Sequence, residues 1–287
     1  MEAFQRLLGR NSAYILIGPA ALWLGIFFLL PMVSLLTTSL SDPAGSPVSG
    51  YQLTFRFANY AEAMGDYWTY LVRSLVYAGI ATVLCLILGY ILAYAIAFKA
   101  GRFKTIMLVL VVAPFFTSFL VRTLSWKLIL ADNGWVVETL KTIHLLPEDG
   151  RLLATPFAVI AGLTYNFLPF MILPLYTSLE KIDPRLLQAS SDLYANPIQT
   201  FLKVTWPLSL PGVVGGTLLT FIPASGDYIN ASFLGNTNTQ MVGNRIQALF
   251  TTASDYPHAA ALSVILMVLI VAMVLFYVRR AGTEDLL

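Results

Sequence analysis

Charged residues are scarce in this chain of 287 residues: Asp, Glu, Lys and Arg make up only 11% of it. Soluble domains carry about 25% charged residues. Hydrophobic residues make up 57% of the chain and the mean hydropathy is +0.75, so an ordinary soluble protein is excluded. The formal net charge of +2 is too small to indicate a nucleic-acid partner.

Residues for enzyme chemistry are also scarce. The one cysteine, Cys85, lies in an apolar run, which predicts a small buried hydrophobe and excludes a disulfide within the chain. The two histidines, His144 and His258, show no metal-ligand spacing. Neither a phosphate-binding G-x-x-x-x-G-K-[ST] loop nor H-E-x-x-H occurs. We therefore predict no catalytic residue, metal or cofactor on this chain, and no ATP hydrolysis by this chain alone.

Long apolar runs dominate what is present. A membrane-spanning helix needs roughly 20 apolar residues, and six segments qualify. They are Tyr14–Leu36, Leu71–Phe98, Thr105–Leu130, Ala154–Leu179, Pro207–Tyr228 and Ala259–Val278. The prediction is an all-α polytopic membrane protein with a single transmembrane domain over residues 1–287.

Basic residues predict the orientation, because cytoplasmic loops are enriched in Lys and Arg. One side collects Arg6, Arg10, Lys99, Arg102, Lys104, Lys181, Arg185, Lys203, Arg279 and Arg280. The opposite loops carry more acidic than basic residues. We therefore expect both termini in the cytoplasm.

Three segments fall on the outward side. Residues 41–66 are predicted to form a loop followed by an amphipathic stretch near Phe57–Met64. Residues 131–153 predict a short interfacial helix, and residues 230–257 a polar region with a turn from Gly235.

A polar segment, residues 183–211, interrupts the apolar runs on the cytoplasmic side. Asp183-Pro184 and Asn196-Pro197 each match the start of a helix, since Asp and Asn cap well and Pro is favoured next. The apolar positions then give two amphipathic pieces joined by a break. Such a shape suits contact with a soluble partner, whereas an interfacial helix without a partner is the alternative.

This polar segment resembles a known signature. Permease subunits of ABC importers carry Glu-Ala-Ala, three residues, Gly, nine residues and Ile-x-Leu-Pro before the penultimate helix. Here Gln188-Ala189-Ser190 corresponds to Glu-Ala-Ala, Tyr194 to Gly, and Val204, Trp206 and Pro207 to the remainder. GYILAYAIAF, APFFTSFLVRTLSWKLIL and LTYNFLPFMILPLYTSLEKID resemble the spermidine/putrescine branch of the family. The resemblance covers roughly Tyr60 to Tyr277.

The resemblance implies a type I ABC importer permease with six spans in the plasma membrane of a prokaryote. It implies a second homologous permease, two ABC ATPase subunits that hold ATP and Mg, and an extracytoplasmic binding protein. The loop of about residues 180–206 would couple to the ATPases. The coupling residues it implies are Gln188, Ala189, Ser190, Asp192, Tyr194 and Asn196. With Tyr194 in place of Gly, a left-handed Asn196 is one expectation, and the extended geometry usual before a proline is the alternative.

Two charged residues fall within or beside the apolar runs. A carboxylate there is costly and suggests function, so Asp227 is predicted to neutralise a cationic substrate, with Tyr228 offering its ring. The alternative for Asp227 is a cap or a partner for Arg122. For Arg122 we expect a structural or gating ion pair.

Three further residues are candidates for the substrate path: Trp126, Tyr165 and Asn166. The motif TYNFLPF predicts a helix break at Pro169 that exposes carbonyls to a cavity. Packing or a place in the interfacial belt is the alternative for each aromatic residue.

The predicted function is permease subunit of an ATP-driven, binding-protein-dependent importer for polyamines, forming half of the path. Related importers for opines, phosphonates or ferric iron are the alternative. Other classes are a secondary carrier, a membrane-embedded enzyme and an assembly scaffold.

Overall fold

The computed structural model describes residues 17–281, in which the chain forms a series of helices. Arg6 and Arg10, which contribute to the predicted orientation, lie outside the described residues. We number the helices α1 to α11. In chain order they are Ile17–Ser39, Ala58–Lys99, Gly101–Phe116, Phe119–Ile129, Trp135–Thr142, Pro156–Glu180, Pro184–Asp192, Pro197–Ser225, Ile229–Leu234, Val242–Ala248 and Tyr256–Ala281.

Five of these helices, α1, α2, α6, α8 and α11, are long and apolar enough to cross a membrane. The third predicted span, Thr105–Leu130, differs from the expectation, because it consists of α3 and α4, which meet at 94°. Pro114 lies near the end of α3 and cannot donate a backbone hydrogen bond. Thr117, with φ −107° and ψ 147°, and Ser118, with φ −57° and ψ 140°, are extended. These two residues separate the helices.

The expected amphipathic stretch at Phe57–Met64 is not a separate element, since α2 begins at Ala58 and continues to Lys99. The predicted short helix on the outward segment of residues 131–153 is confirmed as α5. Residues 230–257 contain α9 and α10, with a tight turn at Asn236, whose side chain accepts a hydrogen bond from the Asn238 amide at 2.7 Å.

The second amphipathic piece of the polar segment and the fifth span form one helix, α8, rather than two elements. A proline ring inside a helix clashes with the carbonyl four residues earlier, which for Pro207 belongs to Lys203. A π-helical turn at Phe201–Thr205 contains that carbonyl. The wider turn makes room for the ring, so the helix continues.

The predicted break at Pro169 is wrong, because α6 continues through both Pro169 and Pro174. α8 packs closely against α6 near the second of these prolines, Pro174. A Cβ on Gly212 would lie 2.7 Å from the Pro174 carbonyl oxygen, and one on Gly216 would lie 2.7 Å from Met171 Sδ. The two helices therefore meet through glycine backbone, as small residues allow in membranes.

Contacts divide the chain into two compact units. The first comprises the chain up to Asp66 together with Ala248–Ile265. Within it, Asn59 Nδ2 donates to the Ser39 and Ser41 carbonyls, at 2.9 and 2.8 Å. His258 lies between two carboxylates, with Nε2 2.9 Å from Glu62 and Nδ1 2.7 Å from Asp255.

The second unit comprises Tyr67–Gln247 and the chain from Leu266 onward. Its largest core cluster is built from α2, α6 and α8, including Cys85, Tyr90, Met171, Leu175 and Val213. Cys85 is fully buried, which confirms its prediction as a small hydrophobe. This unit contains both the polar segment and the predicted path residues.

Candidate functional site: an exposed helical turn and a buried polar row

The polar segment begins with α7, which is capped as its sequence predicts. The Asp183 carboxylate accepts a hydrogen bond from the Arg185 amide at 2.9 Å, and Pro184 occupies the first helical position. Since the first amides of a helix lack partners within it, this cap stabilises the start. Only three residues therefore separate the end of α6 from the start of α7.

The turn after α7 is a Schellman motif. Tyr194 has φ +58°, its amide donates to the Ser191 carbonyl at 2.9 Å, and the Ala195 amide donates to the Ser190 carbonyl at 3.1 Å. Glycine is the usual residue at this left-handed position, and a residue with a Cβ there costs about 1–2 kcal/mol. Tyr194 therefore takes the conformation that the family motif assigns to Gly.

Asn196 is not the left-handed residue, which corrects that expectation. With φ −73° and ψ 164° it is extended, as the residue before a proline usually is. Its Oδ1 accepts from the Gln199 amide at 2.8 Å, and Gln199 Oε1 accepts from the Asn196 amide at 3.0 Å. This reciprocal pair starts α8.

Five of the six predicted coupling residues are exposed. They are Gln188, Ala189, Asp192, Tyr194 and Asn196. Tyr194 is 96% exposed and Leu193 beside it is 81% exposed, so an aromatic and an aliphatic side chain form the tip. Ser190 is buried instead, and its hydroxyl is 2.7 Å from Thr200 Oγ1. Ser190 therefore joins α7 to α8 rather than facing a partner.

Two features surround the start of α7. A groove of about 820 Å³ runs between α6 and α8 and ends at Lys181, Asp183 and Leu186. Lys104 at the beginning of α3 forms an ion pair with Glu180 at 2.6 Å, with the Lys104 Nζ 5.3 Å from the centre of the Tyr176 ring. The end of α6 is thereby held to α3 immediately before the polar segment.

A second candidate site is a row of buried polar side chains that links α4, α6 and α9. Asn166 Nδ2 donates to Thr123 Oγ1 at 3.2 Å and to Asn230 Oδ1 at 3.0 Å. The Asn230 amide donates to Asp227 Oδ1 at 2.8 Å. We call Thr123, Asn166, Asn230 and Asp227 the polar row. It brings together two predicted path residues, Asn166 and Asp227.

Asp227 lies two residues beyond the end of α8, outside the membrane-spanning helices, and its side chain is buried. Burial disfavours the charged form and raises the pKa of its carboxyl to about 6, opposed by hydrogen bonds from Asn230. Tyr228 follows with a partly exposed ring, and its carbonyl accepts from Asn244 Nδ2 at 2.9 Å.

The polar row still has free hydrogen-bonding capacity. Asn166 Oδ1 and Asn230 Nδ2 are buried and have no partner within the described part of the chain. A buried polar group without a partner costs about 1–3 kcal/mol. Such unmet groups are typical of a place where a polar ligand or water binds.

The expected ion pair of Arg122 is not found among residues 17–281. The guanidinium carbon lies 5.4 Å from the centre of the Phe115 ring and 5.5 Å from that of Phe119. Arg122 is buried, and its Nε and Nη1 have no hydrogen-bond partner among these residues. Two aromatic faces, placed by the bend between α3 and α4, take the role that a carboxylate was expected to fill. Its gating role stays a prediction.

Trp126 and Tyr165 form an aromatic pair, with ring centroids 5.4 Å apart. Trp126 also packs against a cluster of Leu130, Ala158 and Leu234. Tyr165 lines an apolar cavity of about 320 Å³ between α2, α3 and α6. Trp126 therefore packs against other side chains, as the alternative to a path role predicted, whereas Tyr165 lines a cavity.

Sequence reasoning missed Thr123 and Asn230, the two members of the polar row that complete it. Both are polar residues in apolar surroundings and each neighbours a residue that was singled out, Arg122 and Asp227. This closeness in sequence was the one signal that could have identified them. Asn166 bonds to both, and it lies 43 residues from Thr123 and 64 residues from Asn230, separations that no local pattern indicates.

Comparisons with known proteins agree with this architecture. The "Spermidine/putrescine transport system permease protein PotB" of Salmonella typhimurium (strain SL1344) is 36% identical over 260 residues, which cover 90% of this chain and 90% of that protein.

Two solved structures share the fold. A bacterial ABC transporter involved in the import of the acidic polysaccharide alginate gives a TM-score of 0.75 at 15% identity, covering 99% of this chain and 100% of the other. The alginate transporter in complex with an alginate pentasaccharide-bound periplasmic protein gives 0.73 at 14% identity, covering 97% and 96%. The predicted importer permease fold is confirmed, while the cytoplasmic location of both termini stays a prediction.

A family match assigns most of the chain. Residues 86–281 match the family described as "Binding-protein-dependent transport system inner membrane component". The match includes α6, the polar segment and α8, as well as every member of the polar row. The chain therefore belongs to the family of binding-protein-dependent transport system inner membrane components.

Proposed function

We propose that this chain is the permease subunit of an ATP-driven importer of polyamines, with spermidine and putrescine as its substrates. The observation that carries the substrate is the 36% identity to a relative named for spermidine and putrescine transport. In the proposed assembly a second, homologous permease supplies the other half of the path. Two ABC ATPase subunits bind ATP and Mg, and an extracytoplasmic binding protein delivers the substrate in a prokaryotic plasma membrane.

The exposed turn at Tyr194 is the proposed contact with an ATPase subunit. It projects an apolar tip between two well-capped helices, and the second of these, α8, continues without interruption into the membrane. A displacement of the tip by the ATPase would therefore be transmitted along α8. Because Gly212 and Gly216 hold α8 closely to α6, the movement would reach both helices.

The polar row is the proposed contact for the cationic substrate. The Asp227 carboxylate, charged above a pH of about 6, would attract an ammonium group. The free Asn166 Oδ1 would accept a hydrogen bond from the same or a second ammonium. Tyr228 and the pair of Trp126 and Tyr165 offer aromatic faces. A set of modest contacts suits a path that must release its substrate.

The test is uptake of radiolabelled spermidine and putrescine in cells that lack this chain but retain its ATPase partner. We expect uptake to be lost on deletion and restored by the chain. Restoration would require an intact ATP-binding loop in the ATPase, which a Lys substitution in that loop would check. Uptake that survives ATPase inactivation would contradict an ATP-driven importer, and polyamine uptake unaffected by deletion would contradict the substrate.

A further inference from the structure

Tyr194 combines two features that are each unfavourable in an isolated chain. Its backbone has φ +58°, a region that glycine occupies without cost and tyrosine does not. Its side chain is 96% exposed, so burial against the described part of the chain does not offset this strain. The Schellman hydrogen bonds need only the backbone, so the ring gains no stabilisation from them or from burial among residues 17–281.

The surroundings of Tyr194 form a small, convex, apolar tip. Leu193 is 81% exposed and Ile198 is 70% exposed on the beginning of α8. The Schellman hydrogen bonds at the end of α7 and the capping pair at the start of α8 fix the backbone on both sides of Tyr194. Tyrosine is enriched in binding hot spots, and a side chain on an already ordered turn costs less conformational entropy to bind.

With glycine at this position, a partner's surface could approach the backbone of the turn directly. With tyrosine, the partner must accommodate a ring that can bury roughly 150–250 Å². The matching surface is a slot with apolar walls, which contacts the ring and leaves the phenol hydroxyl in solvent. A partner that is flat or closed at this point would clash.

We infer that Tyr194 is the specificity-determining anchor of this permease: its ring inserts into an apolar slot on the ATPase subunit and thereby selects which ATPase the permease accepts. This inference rests on the proposed function, which makes an ATPase the partner of the turn. It assigns recognition to one side chain, whereas the proposed function requires only that the segment makes contact.

The test compares Tyr194→Gly and Tyr194→Phe in full permease complexes purified in detergent, titrated with the ATPase subunit that co-purifies with the wild type. Y194G keeps the backbone conformation, since glycine favours it, and we expect an unchanged or raised Tm together with at least a tenfold loss of ATPase affinity. Y194F retains the ring, so we expect affinity within about threefold of the wild type.

Phe55→Gly is the matched control, because Phe55 is also an exposed aromatic residue at positive φ, +52°, in the loop before α2. We expect F55G to bind the ATPase as the wild type does. Wild-type affinity in Y194G would overturn the inference. A loss in Y194F as large as that in Y194G would also overturn it, since the ring would then not be the anchor.

Ala189→Trp separates this inference from the proposed function. Ala189 is exposed on α7, so tryptophan adds bulk to the contact surface without entering the core. Loss of ATPase binding in A189W alone would leave the coupling segment in place and overturn only the role of Tyr194. Normal binding in both A189W and Y194G would overturn the coupling segment itself.

Discussion

The turn at Tyr194 and the polar row both depend on α6 and α8, yet they are built in opposite ways. The turn has its backbone hydrogen bonds satisfied and leaves apolar side chains exposed. The polar row is buried among apolar helices and leaves Asn166 Oδ1 and Asn230 Nδ2 without partners among residues 17–281. Within the described part of the chain, the turn therefore lacks burial for its apolar side chains, and the polar row lacks hydrogen-bond partners.

The difference shows how an interaction site can be recognised from what a chain leaves unsatisfied. Exposed apolar area on a rigid turn suits a protein surface, because its burial is favourable and the turn is already ordered. Buried hydrogen-bonding capacity suits a small polar ligand, because only a group that enters the interior can reach it. The two sites call for partners of different size and chemistry.

The largest effect is expected when the turn is altered and the polar row is left unchanged. For the double variant Asp192→Arg and Tyr194→Arg, we expect uptake to fall to background, because two bulky cations cover the proposed contact surface. The chain should still insert, since both side chains are exposed. Uptake assays with membrane-fraction immunoblots check this, with Arg185→Lys as control. Normal uptake would contradict the coupling assignment.

The connection between the two regions is tested at Gly212. A Cβ there would lie 2.6 Å from Ser178 Cβ and 2.7 Å from the Pro174 carbonyl oxygen, whereas one on Gly215 would meet only Pro174 Cβ at 3.8 Å. We therefore expect Gly212→Ala to lower the free energy of unfolding by about 1–3 kcal/mol and Gly215→Ala to leave it nearly unchanged. Thermal unfolding in detergent measures both. Equal effects would argue against the close approach.

The polar row is tested separately by Asp227→Asn. We expect polyamine uptake to fall about tenfold, which corresponds to about 1.4 kcal/mol, while ATPase binding stays normal. The pH adds a second check. Burial raises the pKa of this carboxyl to about 6, so the negative charge is present above that pH and lost below it.

Wild-type uptake should therefore fall between pH 7 and pH 5, whereas uptake by the variant Asp227→Asn should change little over that range. Measuring both proteins in the same buffers removes pH effects on the rest of the importer. An identical pH dependence in the two proteins would remove Asp227 from the substrate path.

The smallest effect is expected from the hydrogen bond that joins α7 to α8. Ser190→Ala removes the hydrogen bond to Thr200 and should cost about 0.5–1.5 kcal/mol. Faster amide hydrogen exchange in α7 would report this loosening. Ser191→Ala is the matched control, because its exposed hydroxyl bonds only to the Leu187 carbonyl within the same helix. Equal exchange rates in both variants would show that Ser190 does not hold the segment.

Local chemistry made parts of the site predictable. The pairs Asp183-Pro184 and Asn196-Pro197 predicted two helix starts, and both occur at those residues. The break at Pro169 and the left-handed Asn196 were wrong for the same reason. Each was inferred from one residue considered alone, whereas α6 continues through Pro169, and Asn196 is extended before Pro197 and pairs with Gln199.

The sequence by itself determined the membrane class, the apolar spans, the place of the polar segment and its capped ends, since each depends on composition or on neighbours a few residues away. Only the tertiary structure decided the bend between α3 and α4, the aromatic surroundings of Arg122 and the polar row. These features depend on which distant side chains meet, and the packing of glycines and aromatic rings between helices decides that.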